Sequence, residues 1–227
     1  MATTSPTSVS MRALLEAGAH FGHLKSKWNP AMAPYIYAEK NGIHIIDLNK
    51  SIAKIDEAAN GLKQIARSGR KILFVATKKQ AKDIVSEKVK TVNMPYVTER
   101  WPGGMLTNFA TIRKSVRRMT QIDKMFNDGT FSNISKRERL QFSRERAKLE
   151  TQFGSVADLT RLPAALFIVD ITKEHIAIAE AKRLNIPTFA IVDTNSNPNE
   201  VDFAIPANDD ASTSIAYIVE LMVNAVK

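Results

Sequence analysis

Apolar positions along the chain follow two rhythms, and their order outlines a fold. Continuous apolar runs stand at Ile72-Leu73-Phe74-Val75-Ala76, Ala165-Leu166-Phe167-Ile168-Val169, Thr188-Phe189-Ala190-Ile191-Val192 and Phe203-Ala204-Ile205. Runs of this kind predict strands buried on both faces. Tyr96-Val97 predicts one more short strand. Between them, residues 78–90, 174–184 and 209–227 carry helical amphipathic spacing. Alternating buried strands and amphipathic helices imply a parallel sheet covered on both sides.

The amino-terminal third reads differently. Residues 1–9 are small and polar, a disordered tail. Ser10 suits the cap of a short helix through Ala19, with Met11, Leu14, Leu15 and Ala19 on one face. His20 to Pro34 reads as a loop. Tyr35-Ile36-Tyr37-Ala38 and Ile43-His44-Ile45-Ile46 flank Asn41-Gly42, which predicts a hairpin. Asp47 or Asn49 then caps a helix bearing Ile52, Ile55, Ala59, Leu62 and Ile65, ended by Gly69.

The alternation is interrupted once, over residues 106–153. Phe109, Ile112, Val116, Met119, Ile122 and Phe126 step by three and four, a heptad-like seam. Asn127-Asp128-Gly129-Thr130 predicts a turn, and a second helix follows from Ser135 to Phe153 with a weaker seam of Phe142, Leu149 and Phe153. Two such helices would reach on the order of 30 Å. The predicted fold class is therefore α/β. It has a doubly wound, mainly parallel sheet of the flavodoxin or Rossmann kind and an inserted antiparallel coiled-coil helical hairpin. Residues 10–105 and 154–227 form the globular domain, and 106–153 the basic hairpin.

Charge sharpens this picture. The formal net charge is +9 over 227 residues, which favours anionic partners. Residues 106–153 hold eleven Lys or Arg against five Asp or Glu, most of that surplus. There is no cysteine, so disulfides, thiolate metal sites and cysteine catalysis are excluded. No secretory signal and no apolar run of about 20 residues is present, so a soluble intracellular protein with no membrane partner is expected.

The usual chemistry-bearing motifs are missing. The turn after Ile72-Ala76 is Thr77-Lys78-Lys79-Gln80, without the glycines that let backbone approach a pyrophosphate. None of the four histidines stands in a triad context. His20 and His23, with Asp193, Asp209 and Asp210 near strand ends, are chemically suited to a divalent metal; the bland alternative is that they cap helices, anchor turns and pack. Arg113-Lys114 and Arg117-Arg118 lie one turn apart and form a cationic ridge, continued by Lys136 and Arg137. Lys25, Lys27 and Trp28, and Arg100 with Trp101, combine phosphate-binding charge with a ring for stacking on an unpaired base. The alternative for both tryptophans is anchorage in the core. Lys78 and Lys79 join the candidate RNA-binding set. One rival reading is an enzyme using Asp170 and Asp193, and another is an assembly factor with a protein-binding arm.

Several segments carry a resemblance. They are Leu14-Leu15-Glu16-Ala17-Gly18-Ala19-His20-Phe21-Gly22-His23, Trp28-Asn29-Pro30, Gly42-Ile43-His44-Ile45-Ile46-Asp47, Gly103-Gly104-Met105-Leu106-Thr107-Asn108 after Arg100-Trp101, and Asn208-Asp209-Asp210-Ala211. In this order the chain resembles the bacterial small-subunit ribosomal protein S-two family. The resemblance implies a structural, non-catalytic protein in the cytoplasmic small ribosomal subunit. It would bind 16S ribosomal RNA near the head–body junction, touch neighbouring small-subunit proteins, and help dock the mRNA-binding protein S-one. It implies no small-molecule substrate and no required cofactor beyond a structural divalent metal such as zinc, at Asp193, Asp209 and Asp210. The chain departs from the family's usual pattern at Pro102, where leucine is common, and at Asn197, where aspartate is common.

Overall fold

A computed structural model describes residues 9–128 and 135–227. The elements run α1 (Met11–Glu16), β1 (Phe21–Leu24), β2 (Ile36–Lys40), β3 (Ile43–Ile46), α2 (Leu48–Arg67), β4 (Ile72–Val75), α3 (Lys79–Lys90) and β5 (Tyr96–Val97). They continue α4 (Phe109–Asn127), α5 (Lys136–Phe153), β6 (Ala165–Val169), α6 (His175–Arg183), β7 (Thr188–Val192), β8 (Phe203–Pro206) and α7 (Ser212–Val226). Among the described residues no helix is long and apolar enough to cross a membrane.

The main sheet is wholly parallel, in the order β5-β4-β6-β7-β8. That is the 2-1-3-4-5 order of flavodoxin-like sheets. Its strands are buried along both faces because successive side chains feed two separate cores. Phe74, Phe167 and Phe189 pack with α2, α3 and α7 on one side. Leu73, Val75, Leu166, Ile168 and Val192 pack on the other with α6, Trp101, Met105 and Leu106. Continuous apolar runs, rather than alternating ones, are the sequence record of this two-sided burial.

A second sheet of order β1-β3-β2 is antiparallel. Asn41 and Gly42 both take positive φ, 54° and 75°, as a two-residue primed hairpin turn requires. The segment predicted as a loop after His20 contains a strand, β1, which pairs with β3 across an irregular register. Its four residues are too few and too mixed to show period-two alternation. Helix α1 stops at Glu16 rather than Ala19, because Gly18 turns left-handed at φ 73° and the Ala19 amide bonds back to the Leu14 carbonyl. The tail expectation concerns residues outside the described set, except Val9, which packs on the core.

Helices α4 and α5 interrupt the alternation where expected. Ser135 caps α5 reciprocally with Glu138. The predicted turn residues Gly129 and Thr130 lie outside the described residues. The two helices pack on each other through Arg118–Glu145 and Arg146–Asp123 pairs at 3.0 and 2.6 Å. Ile112, Val116 and Phe153 root their near ends in the second core.

One buried carboxylate organises the path into α4. Glu180, on the apolar face of α6, accepts from the Trp101 indole at 3.1 Å and the Gly104 amide at 2.7 Å through Oε1. Its Oε2 accepts from the Leu106 and Thr107 amides at 2.9 and 3.0 Å and from the Thr107 hydroxyl at 3.1 Å. Burial opposes its charge, but the amides of Thr107, Leu106 and Gly104 and the indole of Trp101 prevail and lower its pKa. Glu180→Gln keeps the shape and loses the charge, setting an amide N–H₂ against N–H donors. It should destabilise the fold by about 3 kcal/mol in urea unfolding at neutral pH, with m unchanged.

Candidate functional site

The carboxyl ends of four adjacent strands converge on one ammonium. Lys78 follows β4, Asp170 follows β6, Asp193 follows β7, and Asp209 lies three residues beyond β8. Because β4 and β6 are neighbours whose connections diverge, this is the sheet's topological switch point, where doubly wound folds leave a crevice. Lys78 Nζ fills it, 2.7 Å from Asp209 Oδ1, 2.7 Å from Asp210 Oδ1 and 3.3 Å from Asp170 Oδ2.

Local backbone features set up each partner. Asp170 sits at φ 68°, unusual for a residue with a side chain, and is held there because its Oδ1 accepts from the Thr172 and Lys173 amides and the Thr172 hydroxyl. Asp209 does not cap α7, which starts at Ser212 rather than at Asp209. Instead Asn208 takes the Asp210 and Ala211 amides at 2.8 and 3.1 Å, leaving Asp209 free to face inward. Glu174 beneath is buried and accepts from the Thr77 amide and hydroxyl. Burial raises its pKa against those hydrogen bonds.

The amino-terminal sheet closes the crevice. His23 Nδ1 lies 3.0 Å from Asp193 Oδ2, close but off the hydrogen-bonding direction, and Nε2 lies 3.3 Å from Asp210 Oδ2. The His23 amide donates to Thr194 Oγ1 at 2.8 Å, and the Asn29 amide to the Thr194 carbonyl at 2.8 Å. Gly22 permits this approach, since a Cβ there would fall 2.6 Å from Thr194.

Charge in the cluster is unevenly shared. Burial works against the Lys78 ammonium, but Asp209, Asp210 and Asp170 outweigh it and hold the pKa far above the ordinary lysine range. Burial raises Asp209 to about 7, helped by repulsion from Asp170 and Asp193 and opposed by Lys78. The pairing with Asp193 raises His23 against a burial cost, with Asp209 and Asp210 adding to the rise. Lys78 lowers Asp210, which is half-exposed.

A metal suits part of this arrangement. Ligand atoms of His23, Asp193 and Asp209 lie within 4.8 Å of one another. Asp209 is fully buried, and among the described residues its Oδ2 and His23 Nδ1 have no hydrogen-bond partner. One imidazole and two carboxylates form a donor set fitting zinc with an open position. Of the predicted set of Asp193, Asp209 and Asp210, the structure groups Asp193 and Asp209 with His23, while Asp210 turns to Lys78 and the outer edge of His23.

The predicted RNA contacts divide by burial and pairing. Trp101 is 6% exposed, with its indole bonded to Glu180, so its ring belongs to the core and not to a base stack. Lys78 is enclosed by carboxylates. Arg113 donates to the Ala157 and Leu159 carbonyls, both at 3.0 Å, and fastens α4 to the core. Arg118 forks onto Glu145 and lies over Phe142. These four make their contacts within the fold. Lys27, Lys79, Arg100, Lys114, Arg117, Lys136 and Arg137 are exposed. Lys25 is exposed but pairs with Glu39 at 2.7 Å. Trp28 is 37% exposed, its ring 5.2 Å from His44. Glu180 and the role of Lys78 went unread, although Glu180 is a lone acid among the buried Ala177, Ile178 and Ala181 of its helix face.

A raised Asp209 pKa has a definite sign. The folded chain keeps that proton while the unfolded chain loses it near pH 4, so this contribution to stability is present below pH 4 and lost as pH rises to 7. The raised His23 adds a loss in the same direction from pH 6.5 upward. In chelator, the melting temperature of wild type minus that of Asp209→Asn should fall between pH 4 and 7 and level off above 8. The full swing is on the order of 4 kcal/mol. A constant difference by calorimetry would contradict it.

Comparison with known proteins identifies the family. Residues 14–227 match the family described as ribosomal protein S2. The small ribosomal subunit protein uS2 of Phocaeicola vulgatus is 69% identical over 213 residues, covering 94% of this chain and 76% of that protein. Its counterpart in Bacteroides thetaiotaomicron is 70% identical over 207 residues, 91% of this chain and 74% of its own length. The Flavobacterium johnsoniae protein is 68% identical over 218 residues, 96% and 86% respectively. The match spans both sheets, the α4–α5 pair and the strand-end cluster, and the chain belongs to the ribosomal protein S2 family.

Proposed function

We propose that this chain is a structural, non-enzymatic component of the cytoplasmic small ribosomal subunit and binds 16S ribosomal RNA near the head–body junction. Beyond family membership, the observation that carries the RNA reading is the set of exposed cations on α4 and α5. Lys114, Arg117, Lys136 and Arg137 have no ion pair among the described residues. Cations left without carboxylates are available to phosphate. The two helices act as a coiled-coil hairpin insertion whose paired charges, Arg118–Glu145 and Arg146–Asp123, keep it rigid. Exposed Lys27 and Arg100, with Trp28 half-accessible beside Lys27, add a second contact region. Folded RNA is recognised largely through backbone and shape, so a rigid cationic arm supplies register as well as affinity.

Two further roles follow from family resemblance. One is contact with neighbouring small-subunit proteins and the docking of S-one. The other is a structural divalent ion, zinc by its donors, held by His23, Asp193 and Asp209. Such an ion would supply charge compensation and would lock β1 to the ends of β7 and β8. His23→Ala or Asp193→Asn should reduce bound zinc to below a tenth of wild type by mass spectrometry of gel-filtered protein.

The RNA reading is checked by exchanging Lys114, Arg117, Lys136 and Arg137 for alanine. Wild type should co-sediment with the small subunit, and the variant should be depleted from it. In titrations against 16S RNA, affinity should fall, and the slope of log K against log salt should shrink by about one for each lost phosphate contact. An unchanged slope would remove the hairpin from the RNA interface.

A further inference from the structure

The carboxylate of Asp209 faces two cation positions at once. Its Oδ1 is 2.7 Å from the Lys78 ammonium. Its Oδ2 is buried and without a hydrogen-bond partner among the described residues, and a carboxylate oxygen of Asp209 lies within 4.8 Å of ligand atoms of His23 and Asp193. Lys78 reaches this place because it stands at the start of α3 without using its side chain as a cap. It has a second partner at the same distance: Asp210 Oδ1, also at 2.7 Å, on a side chain that is 53% exposed. The ammonium thus touches Asp209 and, at 3.3 Å, Asp170 inside the pocket, and Asp210 at its mouth.

We propose that Lys78 is a built-in counter-cation that competes with a divalent ion for Asp209, so that metal enters as the ammonium shifts outward onto Asp210. This rests on the metal reading above and adds what sets the affinity. Without metal, four neighbouring aspartates need positive charge, and Lys78 supplies it from the chain itself. With metal, the ion and the ammonium lie on either side of one carboxylate and repel each other. The protein is then folded in both states, and the lysine keeps affinity low enough for reversible loading. A site designed only for tight structural zinc would have no cation beside its ligand.

The arrangement also explains an otherwise odd choice of residue. A lysine with 12% of its side chain exposed is costly to bury, and asparagine or glutamine would satisfy single carboxylate oxygens without charge. Only a cation on a flexible stem both neutralises Asp209 and swings to Asp210.

Lys78→Met removes the charge and keeps the length. In chelator the variant should melt below wild type, and zinc should raise its melting temperature more than it raises that of wild type. Calorimetric titration should give a Kd at least tenfold lower than wild type. Equal or weaker zinc binding in the variant overturns the role of Lys78 while leaving the metal reading intact; no binding by either protein overturns both. A second measurement needs no variant. Wild-type protein is treated with an amine-acetylating reagent, in chelator and saturated with zinc, and Lys78 is followed by peptide mass spectrometry. Lys78 should acetylate at least threefold faster in the zinc-loaded protein, and an unchanged rate overturns the outward shift even where the methionine variant does not fold.

Discussion

The ion cluster around Lys78 is the constraint on which the two halves of the molecule depend. Parallel strands bring the same ends of the chain together, so β4, β6, β7 and β8 deliver Lys78, Asp170, Asp193 and Asp209 to one place. That concentration of acid is unfavourable unless a cation joins it. Lys78 does so, and His23 brings the antiparallel sheet with it. The β1-β3-β2 sheet is therefore held at the main sheet by electrostatics and by Thr194 contacts through Gly22, as well as by apolar burial.

How much of this was legible follows from range along the chain. The main strands were readable because burial on both faces leaves an uninterrupted apolar run, and the β2–β3 hairpin because Asn41-Gly42 dictates its own turn. α2, α3 and α4 were readable from helical spacing. β1 was not, because its four residues are stabilised by pairing with residues some twenty positions away. Trp101 reads as an RNA ligand in sequence because Arg100 sets a cation beside its ring in a loop-like stretch. Its fate is decided by Glu180, which stands 79 residues away in sequence. Positions of Asp193 and Asp209 near strand ends could be read from the pattern of strands, but the identity of their partner could not. Lys78 seemed one basic residue among several, although its place directly after the first core strand marks it as a switch-point residue.

The basic surplus divides in the same way. Half of the ridge read from α4 serves the fold: Arg113 ties the helix to the segment at 157–159, and Arg118 ties it to α5. Lys114 and Arg117, each one position from these, face outward. Helical geometry sorts them, because at about 100° per residue Lys114 and Arg117, three apart, lie in the middle of one arc, while Arg113 and Arg118 flank it and reach different neighbours. Adjacent arginines and lysines thus stand in different places, one packed into the fold and one exposed to solvent. Composition counts both as positive charge and cannot distinguish them.

The same geometry bears on why a fold that elsewhere hosts catalysis serves a structural role here. A doubly wound sheet offers a ligand the crevice at its switch point. In this chain the loop after β4 has no glycines to admit a phosphate, and the crevice is filled by the lysine that follows Thr77. Its mouth is covered by the 21–29 segment, with Gly22 against Thr194 and the Asn29 amide on the Thr194 carbonyl. Asp170 and Asp193, the residues best placed to act on a substrate, are committed to Lys78, to Thr172 and Thr194, and to His23. The crevice at the switch point serves here as a joint between the two sheets.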